Sequence, residues 1–533
     1  MRRFALPLLA AIGLAVWASP AFAAKATGDF DGDGFSDLAV GVPYEDFGML
    51  SDGGGVNVIY GAPRGLGASA RNQFFSQDSP GMDDSVEPND RFGFSLAAGD
   101  FNGDGFADLA IGVPFEDFTI SNPSPTTFTD LGAVQVVYGS TDGLDPEGAK
   151  QSDLLVGDPL RYGNSNQFGF ALAAANFGKG GATDLAVGSP GEDIALTNDG
   201  SAAIFYGHTT GIDLGSTAFF AQASPGVRGK PSDEEEFGTA LAAANFGKSS
   251  HADLAVGVPR DTVNGVTRAG AVNVLYGGSS GIQTAGNQRW TRASRRIAGA
   301  PVSFQGFGYS LGAGDLGKSK QADLAIGAPC ETVESISCAG GVTVLYARSH
   351  GLSSRGAQHW TQATRGIGEA PGHDEGFGLS LTAANFGKSA RADLAIASDE
   401  QIGPVTFAGA VQILYGTDKG LTAKGDRLFS QATPGIQNSP AQADGFGRAL
   451  AAGNFGRGPY ADLAVGIPNE QHDDFEGAGA VQLLYGRASG LGVRYAELLD
   501  QDSPNVSEDA GIGDGFGAAL APRGSTLGIF ALP

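Results

Sequence analysis

Short apolar segments recur along the whole chain, and glycine, aspartate and proline separate them. In one representative stretch, Val134, Val136 and Tyr138 share a face, the period of two that is typical of a β-strand. Asp108–Gly112 is a short, nearly continuous apolar segment that ends before Pro114. Glycine and β-branched residues are too frequent in these segments for α-helices. The pattern therefore predicts many short strands joined by tight turns.

The same pattern repeats seven times. The tripeptide Asp-Leu-Ala recurs roughly every 70 residues, beginning at Asp37, Asp108, Asp184, Asp253, Asp323, Asp393 and Asp462. Each unit contains four predicted strands, A to D, with a glycine-rich loop between A and B. In the second unit, strand A is predicted at Phe92–Ala97. Seven such units predict an all-β fold, a seven-bladed β-propeller of four-stranded antiparallel blades.

The two ends of the repeat region predict how the ring closes. One face of strand A carries small residues, such as Gly93, Ser95 and Ala97, which suits the crowded centre of a propeller. The first unit begins at Gly28 without a strand A, and Phe516–Leu520 provides the missing strand after the seventh unit. The C-terminal strand is therefore predicted to complete blade 1. We assign residues 24–521 to the propeller and 522–533 to a C-terminal tail.

The N-terminus has the features of a secretory signal peptide. Arg2 and Arg3 precede an apolar segment, Phe4–Trp17, and a small-x-small motif ends at Ala23. The alternative is a membrane anchor, but the segment is shorter than the about 20 apolar residues that a span needs. We expect residues 1–23 to be removed and the mature chain to be secreted, with no membrane span.

Charge and cysteine content narrow the function classes. The formal net charge is −25, and removal of two arginines with the signal peptide makes it −27 (−25 − 2). An acidic chain is poorly suited to bind nucleic acid or anionic membranes, and it attracts cations.

The two cysteines, Cys330 and Cys338, are predicted to form a local disulfide in an exported protein. We expect a monomer.

Two of the seven A–B loops have the oxygen spacing of a calcium site. Side-chain oxygens occupy positions 1, 3, 5 and 9, a backbone carbonyl is available at position 7, and glycine at position 6 permits a sharp turn. The donors are Asp29, Asp31, Asp33, the Phe35 carbonyl and Asp37 in the first loop, and Asp100, Asn102, Asp104, the Phe106 carbonyl and Asp108 in the second. An acidic turn is the alternative interpretation. The matching spacing predicts two Ca²⁺ sites.

The other five A–B loops lack these donors and carry a basic residue at position 4. These residues are Lys179, Lys248, Lys318, Lys388 and Arg457. One hypothesis is that this cation replaces calcium and pairs with the aspartate that each loop retains at position 9. The alternative is a solvated side chain at the tip of a loop.

Together these motifs resemble the FG-GAP repeats of the integrin alpha-chain propeller and its bacterial relatives. The resemblance rests on Phe-Gly, Asp-x-Asp-x-Asp-Gly-x-x-Asp and Gly-x-Pro, complete or degenerate, over residues 28 to about 521. It implies calcium in the A–B loops at the positions named above. It also implies that partners approach the opposite face, made of the B–C and D–A loops. The chain has fewer complete calcium loops than integrin chains and no leg domains, so integrin signalling is not implied.

Three classes of function remain open. Acidic residues follow strand B in every unit, which would place a ring of carboxylates on the face opposite the calcium loops; solvated loop charge is the simpler interpretation. We expect an extracellular binding or adhesion module for a protein ligand. A lectin-like glycan binder and a polysaccharide-active hydrolase or lyase are the alternatives. The six histidines lack zinc-site spacing, and no Gly-x-Ser-x-Gly motif occurs, so an enzyme is the less favoured class.

Overall fold

The computed structural model of the chain describes residues 27–68, 71–121, 125–147, 153–156, 164–472, 475–504 and 506–522. The predicted signal peptide and nearly all of the predicted C-terminal tail lie outside these residues. Within them, the one regular helix is a 3₁₀ turn at Leu66–Ala68. No helix in this part of the chain is long and apolar enough to cross a membrane.

The described strands form seven four-stranded antiparallel sheets, which confirms the predicted propeller. From blade 1 to blade 7, strands A are Ala519–Ala521, Ser95–Gly99, Ala171–Ala175, Ala240–Ala244, Leu311–Gly314, Leu381–Ala384 and Leu450–Gly453. Strands B are Leu38–Val42, Asp108–Val113, Asp184–Ser189, Asp253–Val258, Asp323–Ala328, Asp393–Ser398 and Asp462–Ile467. Strands C are Gly55–Ile59, Ala133–Val137, Ser201–His208, Ala271–Tyr276, Gly341–Arg348, Ala410–Tyr415 and Ala480–Tyr485. Strands D are Asn72–Phe75, Asp153–Val156, Gly211–Phe220, Gln283–Trp290, Gly351–Trp360, Thr422–Phe429 and Gly492–Leu499.

The ring is closed by the C-terminal strand. Strand A of each blade contacts strand A of the next blade, including blade 7 with blade 1 and blade 1 with blade 2. In blade 1 that strand is Ala519–Ala521, which pairs antiparallel with Leu38–Val42 and places Leu520 opposite Val40. The seven strands A therefore line the propeller axis, and those of blades 2 to 6 border a cavity of about 550 Å³ whose wall is mostly alanine and leucine.

Strand A of blade 2 begins later than the sequence predicts, at Ser95 rather than Phe92. The residues before it form a turn in which Gly93 has a φ of +89°. A Cβ atom at Gly93 would lie 2.4 Å from the Gly55 carbonyl oxygen of blade 1. The Phe-Gly pair is therefore the junction between two blades, and its glycine is required by both conformation and space.

The hydrophobic core lies between neighbouring blades. Val56 and Val58 from blade 1 belong to the same buried cluster as Leu109, Ile111 and Val137 from blade 2. Strands B and C are buried on both faces, which explains why their sequences are nearly continuously apolar.

Buried tyrosines at the end of strand C connect neighbouring blades at six of the seven junctions. The hydroxyl oxygen accepts a hydrogen bond from a backbone N–H of the following blade at 3.0–3.3 Å. The pairs are Tyr60 with Leu144, Tyr138 with Ile212, Tyr206 with Ile282, Tyr276 with Leu352, Tyr346 with Leu421, and Tyr485 with Leu66. The last pair joins blade 7 to blade 1.

The antiparallel strand order divides the loops between two faces. We call the face formed by the A–B and C–D loops the lower face, and the face formed by the B–C and D–A loops the upper face. On the upper face, a two-stranded hairpin of Phe118–Ser121 and Pro125–Phe128 extends blade 2. The Cys330–Cys338 disulfide lies in the corresponding loop of blade 5.

Candidate metal centres

The first A–B loop brings three of its predicted donors together. Asp29, Asp31 and Asp37 each offer a carboxylate oxygen, and these oxygens lie within 4.8 Å of one another. Asp33 is exposed and outside this group, and its Oδ1 accepts a hydrogen bond from the Phe35 N–H at 2.8 Å. The role of the Phe35 carbonyl oxygen as a metal ligand stays a prediction from the sequence.

The second loop repeats the hydrogen bonds of the first. The Gly105 N–H donates to Asp100 Oδ2 at 3.2 Å, as the Gly34 N–H donates to Asp29 Oδ2 at 3.0 Å. Asn102 Oδ1 accepts from the Asp104 N–H at 2.9 Å, and Asp104 Oδ1 accepts from the Phe106 N–H at 2.9 Å. The first loop has the same two bonds, from Asp33 to Asp31 and from Phe35 to Asp33. The two loops thus share one conformation.

The first loop has the electrostatics of a site for a hard cation. Asp29 is buried, its Oδ2 accepts the Gly34 N–H, and its Oδ1 has no hydrogen-bond partner among the described residues. Burial, together with repulsion from Asp33 and Asp31, raises the pKa of Asp29. An oxygen-only donor set of this spacing is what Ca²⁺ prefers. The residues therefore fit the ion that the sequence predicts.

Arg71 supplies a competing positive charge in the first loop. Its guanidinium donates to Asp31 Oδ2 at 2.8 Å and lies over the Tyr60 ring, 4.3 Å from the centroid. The Arg71 side chain is 39% exposed, whereas that of Asp31 is 10% exposed.

The aspartate at position 9 occurs in all seven units, and it has a structural role in the A–B loop. In blade 4, Asp253 Oδ2 accepts the Phe246 N–H at 2.7 Å, and Oδ1 accepts the Gly277 N–H at 2.9 Å. Asp37 and Asp108 make the equivalent bonds in the two predicted calcium loops. This carboxylate therefore fixes the A–B loop to the end of strand C, with or without a metal.

The basic residue at position 4 contacts a tyrosine rather than this aspartate. The lysine ammonium lies 3.5–3.9 Å from a ring centroid, as in Lys179–Tyr206, Lys248–Tyr276, Lys318–Tyr346 and Lys388–Tyr415. Lys248 also donates to the Gly286 carbonyl. Burial raises the pKa of Asp253 to about 7, although attraction to Lys248 opposes the shift. The proposed direct lysine–aspartate pair is therefore wrong, and a longer-range attraction replaces it.

In five of the seven units, an acidic residue that follows strand B accepts a hydrogen bond from a glutamine of the preceding blade. Gln77 donates to Glu116 at 2.5 Å across the junction of blades 1 and 2, and Gln501 donates to Glu45 at 2.7 Å across the closure. The same arrangement joins Gln222 to Asp261, Gln362 to Glu400, and Gln431 to Glu470. The expected carboxylate ring is thus largely buried in the blade interfaces.

A second group of carboxylates lies on the upper face, and the sequence analysis missed it. Glu87, Asp90 and Glu116 offer oxygens within 4.8 Å of one another. Burial raises the pKa of Glu116 to about 9, and repulsion from Asp90, Asp84 and Glu87 adds to the shift. The sequence does contain a signal, because a polar residue stands two positions before the Phe-Gly pair that precedes each strand A, as Asp90 precedes Phe92.

Comparison with known proteins identifies the repeat. The FG-GAP repeat model matches residues 26–67 and 92–137. Phosphatidylinositol-glycan-specific phospholipase D of Rattus norvegicus is 33% identical over 184 residues, 34% of this chain and 20% of that protein. Integrin alpha pat-2 of Caenorhabditis elegans is 28% identical over 253 residues, 45% of this chain and 18% of that protein. The chain thus spans about a fifth of the length of these relatives.

A solved structure adds no argument about function. The rhamnogalacturonan lyase PL11 of Bacillus licheniformis is 10% identical, with coverage of 72% of this chain and 70% of its own, but the TM-score is 0.30.

The sequence matches and the seven sheets lead to one conclusion. The chain carries FG-GAP repeats on a seven-bladed β-propeller and is homologous to integrin alpha chains and to phosphatidylinositol-glycan-specific phospholipase D.

Proposed function

We propose that this chain is an exported, calcium-binding module whose upper face binds an extracellular protein. The distribution of exposed apolar side chains carries the proposal. Eight of the ten large hydrophobic side chains that are exposed among the described residues lie in upper-face loops: Met49, Ile194, Leu196, Val302, Phe304, Phe407, Phe475 and Ile512. The other two, Leu214 and Tyr495, lie on outer strands D. Exposed apolar residues concentrated on one face of a protein favour a binding role for that face.

Calcium in this proposal organises the lower face. Asp29, Asp31, Asp33 and Asp37, with the Phe35 carbonyl, would hold one ion. Asp100, Asn102, Asp104 and Asp108, with the Phe106 carbonyl, would hold the other. Bound ions would offset the repulsion among these carboxylates and fix the loops, as hard cations do in oxygen-rich sites.

A thermal melt tests the calcium sites. We expect excess Ca²⁺ to raise the melting temperature relative to chelator, because an ion that binds only the folded state stabilises it. The variant Asp31→Ala/Asp104→Ala should lose this rise. The control Asp142→Ala/Asp213→Ala removes two exposed carboxylates, one from the C–D loop of blade 2 and one from strand D of blade 3, and should keep it. A wild-type protein that melts identically in calcium and in chelator would leave the loops as acidic turns.

A binding panel tests the upper face. Labelled protein is applied, with calcium, to immobilised extracellular matrix proteins and to a glycan array. We expect protein binding that Phe304→Asp/Phe407→Asp abolishes, since both positions have positive φ, which aspartate tolerates. Leu214→Asp/Tyr495→Asp is the control and should bind normally. Binding that only the control pair disrupts would contradict the proposal, and selective glycan binding would favour the lectin alternative.

A further inference from the structure

The junction between blades 6 and 7 lacks the tyrosine hydrogen bond that the other six junctions have. The tyrosine at the end of strand C in blade 6 is Tyr415, which is 2% exposed. Among the described residues, its hydroxyl group is the one buried tyrosine hydroxyl without a hydrogen-bond partner. The nearby Leu491 N–H is itself a donor, so it cannot accept the hydroxyl proton. A buried donor without an acceptor is costly, and it indicates that a ligand atom belongs beside it.

At three other junctions, a glutamine of strand D accepts the hydroxyl proton. The glutamine Oε1 accepts from the tyrosine, and its Nε2 donates to a backbone carbonyl of the following blade at 2.9–3.0 Å. The pairs are Tyr60 with Gln73, Tyr276 with Gln288, and Tyr346 with Gln358. The strand register that places Gln358 opposite Val344 places Arg427 opposite Ile413. Blade 6 thus has an arginine at the position of the glutamine, and arginine offers no acceptor.

A pocket of about 530 Å³ opens at this position, between strand D of blade 6 and strand D of blade 7. The volume lies in the range of sites for small molecules, about 300–1,000 Å³. Lys388, Asp426, Arg427 and Thr433 line its polar part, and Pro434 and Val493 lie on its apolar part.

Two positive charges border the pocket without a carboxylate partner of their own. The Lys388 Nζ donates to the Gly425 carbonyl at 2.5 Å and lies 3.5 Å from the centroid of the Tyr415 ring. Burial lowers the pKa of Lys388, and repulsion from Arg427 adds to the shift, so the two cations are close together. Arg427 is exposed.

Arginines of the neighbouring blades, in contrast, are paired with carboxylates. These pairs are Arg391–Asp315, Arg448–Asp399 and Arg457–Glu497, and Arg427 has no counterpart to them in the part of the chain that the structure describes. A lysine, an arginine and a hydroxyl donor thus meet at one pocket, and an oxyanion is the group that would accept from all three.

We propose that this pocket binds an acidic saccharide, whose carboxylate or sulfate group lies between Lys388, Arg427 and the Tyr415 hydroxyl. The pocket is larger than an oxyanion alone, and its apolar part at Pro434 and Val493 suits the carbon face of a sugar ring. Asp426, whose Oδ2 accepts from Gln412 at 3.1 Å, would accept from the sugar hydroxyl groups. The site lies at the outer edge of the blades, away from the upper face and from the two predicted calcium loops.

The substitution Arg427→Gln tests the site and restores the glutamine of the other junctions. Isothermal titration of the full chain with a heparin tetrasaccharide and with an oligoglucuronate tetrasaccharide should detect binding of at least one, and the tighter of the two identifies the anion. Arg427→Gln should weaken that binding roughly tenfold or more, because a charge-assisted hydrogen bond is lost. Since glutamine supplies an acceptor for Tyr415, the variant should melt no lower than wild type. Arg355→Gln, which removes an exposed cation from strand D of blade 5, is the control and should bind normally.

A matched pair of lysine variants separates binding from a change in stability. Lys388→Met and Lys318→Met remove the same ammonium–tyrosine contact from neighbouring blades, but only Lys388 lines the pocket. We expect Lys388→Met alone to weaken binding. Equal binding by wild type and a folded Arg427→Gln protein, or no binding of either saccharide by wild type, overturns the site.

Two further titrations define what the site recognises and where it lies. Inorganic sulfate should bind more weakly than the saccharide, because it brings no hydroxyl groups to Asp426, and equal affinities overturn the saccharide assignment. Phe304→Asp/Phe407→Asp should keep the saccharide binding, since these residues lie on the upper face. A loss of saccharide binding in that variant, with Arg427→Gln unaffected, would place the saccharide on the upper face and contradict the proposal.

Discussion

At the scale of single residues, position 4 of the A–B loops shows how one backbone conformation accommodates two chemistries. Gly32 and Gly103 have φ values of 75° and 72° there, and Lys248 has a φ of 68°. Glycine adopts this left-handed conformation at little cost, and lysine does not. The ammonium contact with the Tyr276 ring, at 3.5 Å from its centroid, offsets that cost. The degenerate loops therefore have the same turn as the predicted calcium loops, and the ammonium group of their own lysine packs on a tyrosine ring.

The substitution Lys248→Met tests this contact. Methionine retains an unbranched side chain and the same left-handed backbone, so the change removes mainly the ammonium. We expect a loss of about 0.5–1 kcal/mol in the free energy of unfolding, measured by urea denaturation. Lys230→Met is the control, because Lys230 is exposed in a loop, and it should change stability little. Equal effects of the two substitutions would show that the Tyr276 contact contributes nothing.

Residue chemistry was only partly predictable from the sequence. The spacing of Asp29, Asp31 and Asp37 predicted a group that the structure does bring together. The lysine contacts were predicted wrongly, because Tyr276 is 28 residues from Lys248 in the chain and meets it only through the pairing of strands B and C. A residue's partners depend on the strand register, which motif spacing alone does not define.

At the scale of elements, the Phe-Gly turn determines how one blade packs on the next. The substitution Gly93→Ala tests this role. The new methyl group would lie 2.4 Å from the Gly55 carbonyl oxygen, and alanine would also have to adopt a φ of +89°. We expect a loss of well over about 1 kcal/mol in stability, since the obstructing atom is backbone and cannot rotate away. Thermal and urea unfolding measure the effect.

Gly265→Ala separates conformational strain from collision. Gly265 has a φ of +84°, but a Cβ atom there would meet nothing within 4 Å. We expect this control to cost only the conformational penalty of about 1 kcal/mol. If Gly93→Ala is no more harmful than Gly265→Ala, close packing at the Phe-Gly turn is not what joins the blades.

Element boundaries were less predictable than element order. The repeat gave four strands per unit in the right sequence, because strands B and C have a strong apolar signal. The outer strands D have the least regular sequences, as Gln283–Trp290 of blade 4 shows. This strand is partly exposed, so its sequence lacks the regular alternation of apolar and polar residues that would define its ends.

At the scale of the whole molecule, the blades are joined by polar contacts as well as by apolar packing. Gln77 to Glu116 and Gln501 to Glu45 represent a junction repeated around the ring. Sequence periodicity predicted the acidic positions but not their burial, because the glutamine partner comes from the preceding blade about 39 residues earlier. The closure at blades 7 and 1 uses the same contact, so the first and last blades are joined in the same way as four other pairs.

These buried junctions predict how stability depends on pH in the absence of metal. Burial raises the pKa of Glu45, Glu400 and Glu470 to about 8, and nearby carboxylates add to each shift. The unfolded chain ionises these groups near a pKa of about 4.3. Between those values the folded state binds more protons, so its stability is greatest at the acidic end and falls as pH rises toward 8. In chelator, we expect a lower melting temperature at pH 8 than at pH 5.5.

The double variant Glu400→Gln/Glu470→Gln isolates the junction carboxylates from the many other acids of the chain. Neutral amides cannot ionise, so the fall in stability between pH 5.5 and pH 8 should be shallower than in wild type. Asp142→Ala/Asp213→Ala, which removes exposed carboxylates, should leave the slope unchanged. A wild-type protein that gains stability as pH rises through this window would mean that the junction carboxylates are ionised and compensated. The inter-blade contacts would then be charge-assisted hydrogen bonds rather than bonds to protonated acids.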